Sequence, residues 1–503
     1  MKFFTLIIVL YFHLVASTLH LATSSNPSRL NPLLATDSAS SEIAGYIFNG
    51  LVKYDKDAKE IIGDLAQSFY FENNTTLIFK LRKDVTWHDG TIFSAKDVVF
   101  TYETLISPQI VSPYSASFRF VKSVEIIDKF TLKVIYKQPY FKSIETWMMG
   151  IIPYHILKDE KNLMNSSFNT NPIGTGAYKL HQLEYSKNII LTAYDNYFEG
   201  KAKIDRISFH VIADSVTRFL MLKSGALDVG SVEPIAYERK LNKKFFDNFN
   251  IYEKTSRSYT YLGFNLKRDK FKNPKVREAL SLAIDRKELI DILFFKHAKV
   301  CTGPFLPDTI AFNKNVKTVS QNIKKAKKLL AEAGYDEKNP FRFEITTSNS
   351  NAIRPYAIQI LQHQLKKAGV IVTLRVMEWQ AFLNMVVFPH NFDTVLLGWG
   401  LSPTPDPYMF WHSDNDKQGG FNLIGYNNPQ IDKMIELSQT IIERKELSKI
   451  WQKMFQIIVN DNPYLFLYIP NDITTVNKRV KNIVPAKGGI WHNYIEWEKA
   501  TYK

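Results

Sequence analysis

Apolar positions along the chain recur at two periods, and the alternation between them sets the fold class. Val276, Ala279, Leu280, Ala283 and Ile284 fall at i, i+3, i+4, i+7 and i+8, one face of a helix. Ile43, Ile47 and Leu51 mark a second helix over 41–51, and 354–368 has the spacing of a third. Leu19 and Leu21 alternate as a strand does, ahead of a Ser/Asn/Pro loop. A strand-rich stretch follows, with strands predicted over 76–82, 121–127 and 131–136. Within it Trp87-His88-Asp89-Gly90 reads as a turn, and Ser94 as a helix N-cap with Asp97 three residues on. The second half repeats strand and helix: 341–347, the helix 354–368, then 370–377 and 394–397. Strand-like pieces at 465–469 and 474–476 close the chain, where they can rejoin an N-terminal sheet. This alternation predicts an α/β architecture with crossover connections.

The chain has 503 residues, enough for about three domains by length. Hydrophobic residues make up 45% and charged ones 22%, which excludes disordered, collagen-like and coiled-coil classes. The single cysteine, Cys301, excludes a disulfide framework and a thiolate metal cluster. One early lysine, an apolar run over 3–16 and the small residues Val15-Ala16-Ser17 read as a secretory signal over 1–17. No later stretch reaches 18 uncharged apolar residues. An exported chain with one thiol and no cysteine at its cleavage site points to a periplasm. The net charge is +15, but Lys and Arg are spread along the whole chain. The densest run, 324–328, lies on a helical pattern and reads as a solvated face, so no nucleic-acid partner is expected.

Catalytic signatures are thin. The sequence has no G-x-S-x-G, no phosphate-binding loop, no H-E-x-x-H and no calcium-binding loop. Gly174-Thr175-Gly176 is a lone glycine pair without a following helix pattern. The 11 histidines include no pair at i, i+3 or i, i+4, so a zinc site made by protein ligands alone is not expected. An exported binding protein with no cofactor, not an enzyme, fits this pattern; an exported hydrolase is the remote alternative.

Four segments, in order, resemble one family. They are LIFKLRKDVTWHDG at 77–90 with AKDVVF at 95–100, PIGTGAY at 172–178, NPKVREALSLAIDR at 273–286, and Gly398-Trp399-Gly400 followed by Asp406-Pro407. Together they are similar to the large extracellular solute-binding proteins of peptide, nickel and opine ABC importers, family 5, oligopeptide/dipeptide-binding type. The resemblance spans essentially all of 18–503. It implies a two-lobed periplasmic binding protein fold with an extra subdomain inserted in lobe I. Lobe I would hold 18–265 and 473–503, with the insertion at about 45–170, and lobe II would hold 266–472. Ligand would bind between the lobes and be enclosed by hinge closure, and an inner-membrane ABC permease would receive it from a monomeric carrier.

The resemblance implies a peptide ligand, held through its backbone and its two charged ends. In this family the acid that holds the amine follows the Gly-Trp segment. Here Gly400-Leu401-Ser402 carries no charge, and the first acid is Asp406. For the carboxylate we select Arg354, at the start of the helix over 354–368. Trp399, Tyr408, Trp411 and Trp491 are candidate pocket walls. The alternative is a nickel-chelate receptor, in which one histidine completes the coordination of a complexed cation. His492, in a Gly- and Trp-rich loop, is that candidate metal ligand, and His412 is a weaker one.

Overall fold

The computed structural model describes residues 16–417 and 419–500. The secretory signal expected over 1–17 lies outside them, except for Ala16 and Ser17. The strand predicted from Leu19 and Leu21 is Thr18–Thr23, and its alternate residues are buried. It runs parallel to Arg206–Val211, and the sheet continues antiparallel through Asn188–Ala193 to Tyr178–Glu184. The helix expected over 41–51 is Ser38–Ile47. Asp37 caps it, accepting from the Ser40 amide at 3.0 Å. It stops at Phe48 because the glycine pair of 172–178 abuts its last turn. The Gly176 amide donates to the Ile47 carbonyl at 2.8 Å. A Cβ on Gly174 would lie 1.8 Å from that same oxygen. The lone glycine pair is therefore a close backbone approach.

The inserted subdomain is an antiparallel sheet in the order Ala66–Asn73, Thr76–Leu81, Thr131–Tyr136, Val121–Asp128, with helix Ala95–Ile106. Its buried Phe79, Phe118 and Trp147 join the same core as the first sheet. His88 connects two of the family-like segments. Its Nδ1 accepts from the Gly174 amide at 3.2 Å, and Nε2 bonds the Gly176 carbonyl at 3.0 Å. Burial pushes the ring down to about 4, so it is neutral at pH 7 with its proton on Nε2. Asp89 accepts from the Thr91 amide, and Gly90 takes φ +89°, so the expected turn is there.

The second sheet is built on Ser258–Phe264, Thr394–Gly400, Arg342–Ser348 and Ile371–Met377. One apolar core lies on each of its faces. The 276–284 pattern becomes helix Pro274–Ala283, with Val276, Ala279, Leu280 and Ala283 buried. Ile284 is extended, and Asp285 then caps a separate helix, Arg286–Phe294.

The two predicted closing strands are one strand, Tyr464–Asn477. Its first half pairs with Ser258–Phe264 and Ala298–Val300. Its second half pairs with Phe249–Thr255 and Val229–Ser231. It does not rejoin the sheet of Thr18–Thr23, although the Asp228 amide reaches the His20 carbonyl. The chain thus passes between the two bodies at 256–257 and again at 470–471. The Ser256 amide bonds the Pro470 carbonyl at 2.9 Å, tying the two passages together.

Candidate functional site

Between the two bodies lies a cleft of about 860 Å³. Its floor is the end of Thr394–Gly400 with the loop to Asp406, and the second passage around Pro470. The first body contributes Asp37, Ser41 and Tyr114; the second contributes the start of helix Arg354–Lys367 and the wall Trp379, Leu383 and Phe388. Strand Thr394–Gly400 pairs along its full length with Ser258–Phe264. On its other side it pairs with Arg342–Ser348 only at Thr394 and Val395. The edge from Leu397 to Gly400 therefore lies in the cleft with one side unpaired.

Arg354 is the first residue of its helix, and Pro355 follows it in the first turn, where a missing N–H is harmless. The half-buried guanidinium crosses the strand at Gly398, whose ideal Cβ would sit 2.8 Å from Nη2. No carboxylate pairs with it among the described residues, and its Nε is enclosed without an acceptor. Burial lowers its pKa from the ordinary value, partly offset by the hydroxyls of Tyr468 and Tyr261. A guanidinium stays protonated even so, which leaves one uncompensated positive charge beside the cleft.

Two other residues singled out from the sequence line the cleft with it. Trp399 is half-buried, lies near-parallel to Tyr261, and donates to the Tyr464 hydroxyl at 3.2 Å. Asp406 caps helix Pro407–Trp411 and accepts from the Tyr140 hydroxyl of the first body at 3.3 Å. Both of its oxygens are engaged, which makes it a poor partner for a ligand amine.

The other expected positions lie elsewhere. Tyr408 is outside the cleft, where the Arg119 guanidinium covers its ring at 3.7 Å and so joins the two bodies. Trp411 is core, packed on Tyr426 and Tyr464. Trp491 packs on Trp497 and Tyr46 in the first body. His492 is exposed, bonds the Val484 carbonyl at 2.7 Å and lies away from the cleft. His412 is buried and accepts from the Asp414 amide. Tyr408, Trp411, Trp491, His492 and His412 thus do not line this cleft. Aromatic residues in a Gly-rich segment carry no signal that separates a core from a cleft wall.

Two cleft residues escaped the sequence reading. Glu233 and Asp472 are half-buried carboxylates that line the cleft, and neither forms an ion pair among the described residues. Burial raises both above the ordinary carboxylate value, against the pull of Arg218 on Glu233 and of Ser256 and Lys254 on Asp472. Tyr468 feels both Arg354 and Glu233, so opposite charges flank it. The signal available in the sequence was Glu233-Pro234, an acid just before a helix, but nothing there placed it opposite Arg354.

A cleft between two bodies joined by two strand passages is the feature that comparison with known proteins settles. The sequence pattern of the bacterial extracellular solute-binding proteins, family 5 Middle, matches residues 60–421. The chain belongs to this family. This family 5 protein is 32% identical over 465 residues to the oligopeptide-binding protein AppA of Bacillus subtilis (strain 168), spanning 89% of this chain and 85% of that one. The structure of AppA in complex with a nonapeptide superposes with a TM-score of 0.91 at 30% identity, over 96% of this chain and 99% of that one. NikZ from Campylobacter jejuni in complex with Ni(L-His) gives 0.86 at 28% identity, with 96% and 99% covered. DppA from Helicobacter pylori in complex with the peptide STSA gives 0.85 at 25% identity, with 96% and 98% covered. The two-lobed α/β fold expected from the sequence therefore holds. Among the described residues no helix is long and apolar enough to cross a membrane, and no group of three His, Cys, Asp or Glu is placed to hold a metal ion.

Proposed function

We propose that this family 5 protein is the periplasmic receptor of an ABC importer, closing two lobes over a peptide and presenting it to an inner-membrane permease. It acts as a monomer and without catalysis. The observation that carries the reading is Arg354, an unpaired, half-buried guanidinium beside a cleft lined by two half-buried carboxylates. A peptide is the zwitterion that complements this arrangement. Its carboxylate meets the Arg354 fork, and its amine meets Glu233 or Asp472. Its backbone adds to the open edge at Leu397–Gly400, with pairing that ignores side-chain identity. A volume of about 860 Å³ is at the upper end of the roughly 300–1,000 Å³ of small-ligand sites, which suits several residues. The relatives described with a nonapeptide and with STSA support the same choice.

NikZ keeps the nickel-chelate reading in view, but among the described residues no histidine, His492 included, lines this cleft. The deciding experiment is calorimetry with peptides bearing free or amidated C-termini, run beside Ni²⁺ with free histidine. Tight binding of the free peptides and weak binding of the amidated ones is the expected result. Tight binding of the nickel–histidine mixture with no peptide bound overturns it.

A further inference from the structure

A second cavity, of about 360 Å³, lies within the first lobe between helix Ser38–Ile47 and the segment 140–150. Ser41, Tyr114 and Lys142 line both this cavity and the cleft, so the two adjoin. One helix face turns Ser41, Ala44 and Gly45 toward it, at i, i+3 and i+4, and Phe48 lines it just past the helix end. Phe118 and Met148 supply the apolar wall opposite.

Gly45 marks this chamber. Gly50, Gly150, Gly174 and Gly176 are each hemmed in, with an ideal Cβ closer than 3 Å to a neighbour. Gly45 is exposed at the open side of this chamber, a Cβ there meets nothing within 4 Å, and its φ is not positive. Neither packing nor backbone geometry requires a glycine there, although glycine inside a helix costs about 0.5–1 kcal/mol relative to alanine. What the missing side chain leaves is room. The charged end of the chamber is confined to Glu145 and Lys142. Glu145 accepts from the Tyr54 hydroxyl at 2.5 Å, and Lys142 lies 3.4 Å from its other oxygen.

We propose that this chamber is a side-chain subsite that takes one bulky apolar, preferably aromatic, side chain of the peptide held in the cleft. The inference rests on the peptide reading above. The test is calorimetry with alanine pentapeptides carrying a single phenylalanine at each position in turn, against wild type, Gly45→Ala and Gly45→Leu. In wild type, phenylalanine at one position is expected to tighten binding by about tenfold or more over the all-alanine peptide. Gly45→Leu is expected to abolish that gain while leaving the all-alanine affinity within about twofold, and Gly45→Ala to fall between. Circular dichroism melts show that each variant is folded, and Gly45→Ala keeps the test open if leucine does not fold. Phenylalanine that never helps, a gain that survives both substitutions, or an equal loss across all peptides overturns the subsite and leaves the peptide reading standing. If no pentapeptide binds wild type, the peptide reading fails and takes the subsite with it.

Discussion

At the scale of single residues, the site depends on where one guanidinium is held. Arg354→Ala is expected to weaken binding of free-carboxylate peptides by about 1.5–3 kcal/mol, with Arg354→Lys recovering little if the contact is a two-pronged fork. Gly398→Ala should give a milder version of the same defect without touching the charge. Its Cβ would lie 2.8 Å from Arg354 Nη2 and 2.9 Å from the Tyr259 carbonyl, so either the guanidinium or the strand must shift. Calorimetry on paired free and amidated peptides checks both, since each substitution should narrow the gap between the pair. Arg354 and Trp399 were legible in the sequence as cleft residues because each sits at a boundary the sequence marks, a polar loop before a helix and a Gly-Trp-Gly segment. Glu233 and Asp472 were not, because they stand 239 positions apart along the chain and only strand pairing brings their segments side by side. Trp411 misled for a related reason: burial is decided by neighbours such as Tyr464 that lie far along the chain.

At the scale of elements, the periodic helices and strands were readable to within a few residues. The break at Ile284 and the fusion of the last two strands were not. Both depend on partners outside the local window: the Asp285 cap, and a ladder shared with strands from two lobes. His297, which follows helix Arg286–Phe294, reaches across this join. Its Nδ1 lies 2.8 Å from Glu253, and its Nε2 lies 2.9 Å from Glu238 on helix Pro234–Lys240. Burial lowers its pKa, but the two carboxylates outweigh burial, so the net shift is upward from 6.5. A raised value means that the folded state favours the protonated ring. That contribution is complete below 6.5 and is lost as pH rises through the folded value. The pair is partly exposed, so its weight is about 0.2–1 kcal/mol. Thermal melts of wild type and His297→Gln should therefore differ at about pH 5.5 and converge at about pH 9. A gap that widens with rising pH contradicts this assignment.

At the scale of the molecule, the inserted subdomain reaches over to the other lobe. Lys142 donates to the Thr404 carbonyl at 3.0 Å, Tyr140 to Asp406, and the Phe141 amide to the Gln439 carbonyl at 3.2 Å. If closure makes such contacts, small-angle scattering should report a smaller radius of gyration with saturating peptide than without it. Lys142→Ala combined with Tyr140→Phe should leave the liganded form less compact. An unchanged radius under tight binding rules out the closing motion. The 14-residue strand Tyr464–Asn477 has a further consequence, for the order in which the molecule is made. Ribosomes deliver the N-terminus first. The sheet of Ser258–Phe264 and the ladder around Phe249–Thr255 both lack a member until nearly the last residues emerge. Neither half can be finished and set aside while the other waits. The two lobes, so separable in shape, are born together, and a nascent chain stalled before Tyr464 is a chain with two open edges.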